Sequence, residues 1–297
     1  MNIAITGANG FIGKTLARHL SLGGYKIYPM TRDTIDIFDT NSVRAFFSDN
    51  KIDVLFHTAI TGGRRLREDT EEDFYKNIQM FEVLNSCADK VKLLVNFGSG
   101  AEYDRSSNIF LAKESDLGRN VPKDFYGFSK YLISRRIQQT EKPWVNFRIF
   151  NCFGPGEKKD RMITSAITNK INNKKIVIHQ DKYMDFFYSE DLMKLVDFYL
   201  QNINSLKEIP KELNLSYENT KFSTLKDIAS YIDFTTEPRV GIDTLEKGHG
   251  NSYCGNGSQL KKLGIKFDGL EKGIKNMFDT IKKQNNTVSL KLEEKNV

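Results

Sequence analysis

With 297 residues, 39% hydrophobic and 28% charged, the chain has the length and balance of one large globular α/β domain, or of a large domain with a smaller lobe. No apolar run approaches the roughly 18 residues that cross a bilayer, and the first residues enter a strand directly, so neither a membrane partner nor a signal peptide is expected. The net charge of +6 fits a polyanionic ligand or a lysine-rich solvated surface equally well, and no nucleic-acid partner is expected.

The chain opens on an apolar run, Ile3-Ala4-Ile5, followed by Thr6-Gly7-Ala8-Asn9-Gly10-Phe11-Ile12-Gly13, with Ile12, Leu16 and Leu20 at helical spacing. A strand, a glycine turn and a helix in that order form a pyrophosphate site. Glycines let the backbone approach the phosphates, and the helix N-terminus offers unpaired N–H groups and partial positive charge. Gly7, Asn9, Gly10, Phe11, Ile12 and Gly13 are the candidate cofactor residues, although a glycine trio alone also suits an ordinary turn. Tyr25–Tyr28 reads as a second strand and 54–56 as a third; a helix with Phe74, Ile78, Phe81 and Leu84 on one face follows. Residues 93–97 and 145–149 read as a fourth and fifth strand, and helix-separated apolar strands predict a parallel sheet covered on both faces.

Tyr126-Gly127-Phe128-Ser129-Lys130 places a phenol and an ammonium one helical turn apart on the same face. A nearby ammonium favours phenolate, so Lys130 is expected to lower the Tyr126 pKa and make proton exchange feasible near neutral pH. Ser99, just after the fourth strand, would lie at the carboxyl edge of the sheet, where its hydroxyl can hold a substrate oxygen. Beyond residue 150 the pattern loosens. A Lys- and Arg-rich stretch at 157–175 precedes a short strand at 176–178, a helix from Ser189 to about Leu200, and an amphipathic helix with Leu270, Ile274, Met277 and Ile281 on one stripe. Cys87, Cys152 and Cys254 lie far apart without metal-ligand spacing, so no metal is expected and a reducing cytoplasm is.

These segments carry a resemblance. TGANGFIG at the start, HTA at 57–59, FGSGAEY at 97–103, YGFSK at 126–130, RIFNCFGPG at 148–156 and DFFYSEDL at 185–192 are similar to the extended short-chain dehydrogenase/reductases that act on nucleotide sugars. The stretch Thr31-Arg32-Asp33…Asp36-Ile37-Phe38-Asp39 most resembles the GDP-L-fucose synthase branch. The resemblance runs to about residue 284. It implies a Rossmann-type doubly wound parallel sheet over 1–155, with 186–203 returning to it, and a smaller α/β substrate lobe mainly over 156–284, while the polar, charged composition of 285–297 predicts a disordered tail. It also implies Ser99, Tyr126 and Lys130 as the catalytic triad.

The resemblance adds Arg32, Asp36, Ile37, Thr58, Ala59, Phe150 and Cys152 to the cofactor contacts. For the substrate it implies Ser99, Gly100, Asn151, Arg161, Lys170 and His179. Sugar dehydratases carry an Asp-Glu pair after the triad serine or threonine, where this chain has Gly100 and Ala101. The fucose synthase type uses a cysteine and a histidine to invert stereocentres, and the matching positions here are Ala101 and Arg161. Hydride transfer at one carbon remains. Arg32 after the second strand can pair with a 2′-phosphate and favours NADPH over NADH, with Asp33 beside it a counter-indication. The resemblance therefore implies reduction of a nucleotide-linked, favoured GDP-linked, 4-keto-6-deoxy hexose or heptose. An NAD-retaining 4-epimerase is the alternative. A cofactor-sensing or RNA-binding protein on the same fold is another, against which the intact triad argues. Relatives form homodimers through a contact that includes the Tyr126–Gln139 helix.

Overall fold

The computed structural model describes residues 1–63, 67–217 and 224–293, with side chains described up to residue 285. In chain order the elements are β1 (Asn2–Thr6), α1 (Phe11–Leu22), β2 (Lys26–Met30), α2 (Thr40–Asp49), β3 (Val54–His57), α3 (Glu71–Cys87), β4 (Leu93–Ser99), β5 (Ile109–Ala112), α4 (Phe125–Gln139), β6 (Trp144–Ile149) and β7 (Cys152–Phe153). There follow α5 (Met162–Ile171), β8 (Ile176–Asp181), β9 (Phe187–Tyr188), α6 (Ser189–Gln201), β10 (Glu212–Leu215), α7 (Leu225–Asp233), β11 (Ile242–His249), β12 (Tyr253–Gly255), α8 (Ser258–Lys262) and α9 (Gly269–Glu293).

Six strands form one parallel sheet in the order β10-β6-β4-β3-β1-β2. Alternate residues of each strand face opposite sides, so continuous apolar runs must be covered twice. Ile3, Ile5, Phe56, Val95 and Phe147 pack on one side with Leu16 and Leu20 of α1 and Leu195 and Val196 of α6. On the other, Ala4, Leu55, Leu94 and Trp144 pack with Phe47 of α2, Phe81 and Leu84 of α3 and Ile133 and Ile137 of α4. The Trp144 indole is wholly buried and keeps its polar end satisfied by donating to Asn85 Oδ1 at 2.9 Å.

The order of the strands creates the ligand crevice. The chain leaves β1 toward β2 on one side and β3 on the other, and such a reversal opens a cleft above the strands' carboxyl ends. α6 and β10 both return from the C-terminal half to this sheet layer. The return of β10 has no counterpart in the sequence reading, because Glu212-Leu213-Asn214-Leu215 is short and half polar. A second core, built from Ile163 and Ile167 of α5, Ile176 and Ile178 of β8, Ile228 and Ile232 of α7, and Ile274 and Met277 of α9, forms the smaller lobe. α9 continues as helix to Glu293, into the polar stretch expected to be a disordered tail, while residues 294–297 lie outside the described residues. No helix among the described residues is long and apolar enough to cross a membrane.

Candidate active site

The glycine turn fits a dinucleotide. Gly7 has φ +63°, and a Cβ there would lie 2.8 Å from the Ala59 backbone nitrogen; a Cβ at Gly13 would lie 2.3 Å from the Gly7 carbonyl oxygen. The turn is thus closed by backbone packing in which side chains have no room. α1 starts at Gly10 without a side-chain cap or an acidic residue in its first turn, leaving its N–H groups and positive dipole end for an anion. Most other long helices of the sheet layer are capped by their own side chains: Asp39 for α2, Thr70 with Asp73 for α3, and Asp124 for α4.

The wall of the cradle comes from the end of β3. Thr58 donates to the Thr6 carbonyl at 2.6 Å, and the Ala59 N–H donates to Thr6 Oγ1 at 3.1 Å. His57 is buried 2.9 Å from the same hydroxyl, and burial, with a smaller push from Lys130, holds its pKa down to about 3, so the ring is neutral. Arg32 stands exposed just past β2, and Asp36 closes the following turn by accepting from the Phe38 N–H at 2.9 Å; Ile37 is half-buried.

Ser99 ends β4 and faces the first turn of α4. Its backbone N–H donates to Glu102 Oε1 at 2.9 Å and its hydroxyl accepts from the Ala101 N–H at 3.1 Å, which fixes the tight turn after the strand. Glu102 is itself buried against the Arg148 guanidinium, which also reaches Ser134 at 2.5 Å and Glu212 at 2.6 Å. Burial opposes the Arg148 charge, but Glu102, Tyr103 and Glu212 more than offset it and hold its pKa above the ordinary range. Both members of this pair lie inside the sequence segments singled out above, although nothing in the sequence marks them as partners.

Tyr126 and Lys130 lie one turn apart on α4, and the structure brings both to Ser99's edge of the sheet. Lys130 is buried and donates to the Phe97 carbonyl at 2.7 Å. Burial lowers its pKa to about 8, with Glu102 opposing. The Tyr126 pKa is expected to lie low, but its net shift is upward. Burial raises the Tyr126 phenol above its usual value, while the Ser99 hydroxyl and then the Arg105 guanidinium pull it down. Nothing in the sequence marks Arg105, one basic residue in a polar loop. In the structure its guanidinium lies 5.3 Å from the centre of the Tyr126 ring. Tyr253 of β12 was missed for the same reason, being distant in sequence, yet its hydroxyl lies 3.3 Å from Ser99 Oγ.

The other expected substrate residues separate into two groups. Asn151 and Arg161 meet: Arg161 Nη2 donates to Asn151 Oδ1 at 3.0 Å, and Asn151 donates to the Asp185 carbonyl at 2.8 Å. Glu157, beside them, accepts from Thr164 at 2.7 Å, and burial pushes its carboxyl up to about 7. Lys170 and His179 lie elsewhere. Lys170 is buried in the smaller lobe, 3.0 Å from Asp233 Oδ1 and 2.6 Å from the Pro238 carbonyl, so its charge is already neutralised by its own lobe. His179 is exposed on β8 and pairs with Glu246 of β11 at 3.4 Å. The Phe150 ring is packed against Tyr103, Tyr253, Gly100 and Gly255, which leaves its backbone for any cofactor contact. Cys152 is buried in the sheet core, and burial raises its thiol pKa, so it is chemically quiet. No cluster of metal-ligating side chains occurs among the described residues.

A glycine turn closed by backbone packing, with a serine, a phenol and a buried ammonium at the same sheet edge, fits the class of nicotinamide-dependent oxidoreductases of the extended short-chain dehydrogenase/reductase kind. The chain belongs to the NAD dependent epimerase/dehydratase family, whose model it matches over residues 3–215. It is 22% identical over 237 residues to GDP-L-colitose synthase of Yersinia pseudotuberculosis, covering 72% of this chain and 76% of that one. Its fold is similar to that of a GDP-mannoheptose C4 reductase from Campylobacter jejuni with NADP bound, with a TM-score of 0.80 at 20% identity over 95% of this chain and 98% of that one. A UDP-glucose 4-epimerase from Thermotoga maritima, with UDP-glucose, has a TM-score of 0.74 at 19% identity over 96% of this chain and 99% of that one.

Proposed function

We propose that the chain is an NADPH-dependent C4-reductase of a nucleotide-linked 4-keto-6-deoxy hexose or heptose, with a GDP-linked sugar favoured, acting in the cytoplasm. The observation that carries this reading is the pairing of an intact Ser99–Tyr126–Lys130 edge with a wholly buried Ala101 where inversion of the stereocentres beside the ketone would need a titratable base. The names of the colitose synthase and the mannoheptose reductase support a GDP-sugar, and the second supports reduction at C4.

The bound cofactor supplies the hydride. Around it, the Gly7–Gly13 turn and the α1 N-terminus hold the pyrophosphate, and Thr58 and Ala59 wall the crevice. Ser99 donates a hydrogen bond to the ketone oxygen and stabilises the alkoxide that develops there. Tyr126 delivers the proton to that oxygen, and Lys130 holds the nicotinamide ribose. Asn151 and Arg161 meet the sugar or its diphosphate from the lobe side. A homodimer through α3 and α4 fits the same reading, because their outer face presents a groove lined by Ile78, Tyr131, Leu132, Arg135 and Arg136.

Incubation with NADPH and a panel of 4-keto nucleotide sugars tests the proposal. NADPH oxidation with a 4-keto substrate supports it, and no oxidation with any member opposes it. Asp33 beside Arg32 favours the alternative, a 4-epimerase with retained NAD, which would instead carry its cofactor through gel filtration. Arg32→Ala separates the cofactors. NADPH affinity should fall by about tenfold or more, the size of a lost charge-assisted bond, with NADH affinity nearly unchanged. Titrations giving equal effects on both would remove Arg32 from the 2′-phosphate site.

A further inference from the structure

We propose that Arg105 is the positioning residue of Tyr126, a cation laid over the phenol ring that ties Asp69 and Gly63 to the head of α4. The proposal rests on the reading of Tyr126 as proton donor.

Three contacts place Arg105. Its guanidinium lies 5.3 Å from the Tyr126 ring centre, donates to Asp124 Oδ1 at 2.5 Å, and lies 3.6 Å from Asp69 Oδ2. Each acidic partner also holds backbone that borders the ring. Asp124 Oδ1 accepts from the Gly127 N–H at 2.8 Å and so caps the helix turn on which Tyr126 sits. Asp69 Oδ1 accepts from the Gly63 N–H at 2.6 Å. Gly63 has φ +66°, and a Cβ there would stand 2.7 Å from the Tyr126 ring edge, so the loop lies directly against the phenol. Arg105 therefore closes a clamp of loop, ring and helix cap around one side chain.

The surrounding charges show why a cation matters at this place. Glu102 and Asp69 face the phenol with negative charge, Tyr253 and Ser99 are neutral, and Asp124 is paired with Arg105 itself. Lys130, on the helix of Tyr126, is held by the Phe97 carbonyl. Glu102 is paired with Arg148, and Arg105 lies over the ring beside Asp69, so removing the guanidinium takes away a positive charge facing the phenol and disfavours phenolate. The Arg105 side chain keeps 38% exposure, which screens its charge and places the expected effect at the small end of the range for a neighbouring ion, about one pH unit.

The test compares Arg105→Gln and Arg105→Lys in the full chain, with Tyr126→Phe as control. Tyr126 ionisation is read as the 295 nm absorbance titration of each Arg105 form minus that of the same form carrying Tyr126→Phe. The midpoint should rise by about one pH unit in the Gln variant and return toward the parent in the Lys variant. The alkaline limb of the kcat profile for ketone reduction should move upward by the same amount, because the protonated donor persists to higher pH. A lower plateau with no shift of limb or titration would mean a merely structural role and would overturn the proposal. Full turnover by Tyr126→Phe would instead overturn the reading of Tyr126, whatever the Arg105 variants do.

Discussion

Tyr126→Phe is expected to lower the rate of ketone reduction by about 10²–10⁴-fold, the contribution of a positioned general acid, while cofactor affinity stays near native. The Tyr126 phenol gives up its proton facing the Arg105 guanidinium, which with the Ser99 hydroxyl opposes the rise that burial causes, while Ser99 has no titratable form in this range. The dinucleotide cradle is built from the β1–α1 turn and the end of β3, whose closing contacts are backbone packing and Thr6–Thr58 hydrogen bonds. Removing one hydroxyl from α4 leaves those contacts intact. Steady-state kinetics with fluorescence titration of NADPH check both halves. Native turnover by the variant, or loss of cofactor binding equal to the loss of rate, would contradict the assignment.

Arg148→Met is expected to cost about 3–5 kcal/mol of stability, the largest effect foreseen for a residue that touches no ligand. Arg148 and Glu102 are both wholly buried and paired, with Ser134 and Glu212 completing the cluster. Taking away the guanidinium leaves the Glu102 carboxylate buried without its countercharge, with Glu212 facing it. Because Glu102 also accepts the Ser99 N–H, the turn that carries the Ser99 hydroxyl should loosen as well. Denaturant melts would show a midpoint falling with an unchanged slope. A double replacement, Glu102→Leu with Arg148→Met, should recover much of the loss, since an apolar pair removes the unpaired charge. A single variant that loses less than about 1 kcal/mol would show that the cluster is not a coupled network.

What could be read from the sequence follows from distance along the chain. The glycine turn is legible because its whole chemistry lies within Gly7–Gly13, and the Tyr126–Lys130 pairing because helical spacing fixes it locally. The parallel sheet is legible from apolar runs separated by helices, and its sixth strand is not, because β10 is brief and its burial comes from pairing with β6. Arg105 and Tyr253 reach the site only through tertiary packing, the second from a strand in the other half of the chain. Lys170 shows the converse. In a basic stretch it resembles a ligand for phosphate, but its partner Asp233 is 63 positions away and turns it into a buried lobe contact. The Lys130 contact to Phe97 likewise depends on how α4 docks on β4, which residue spacing does not state.

Reduction in D₂O tests the central claim most directly. The chain, NADPH and a GDP-4-keto-6-deoxy sugar are incubated together, and the product is read by NMR. Ala101 and Arg161 stand where the fucose synthase type carries its base and acid, so no exchange of the hydrogens beside the ketone is expected. The expected product therefore has one new C4 stereocentre, NADPH consumed in equal amount, and no enzyme-dependent deuterium at C3 or C5. Enzyme-dependent deuterium at either carbon, or product formed without NADPH consumption, would contradict the account.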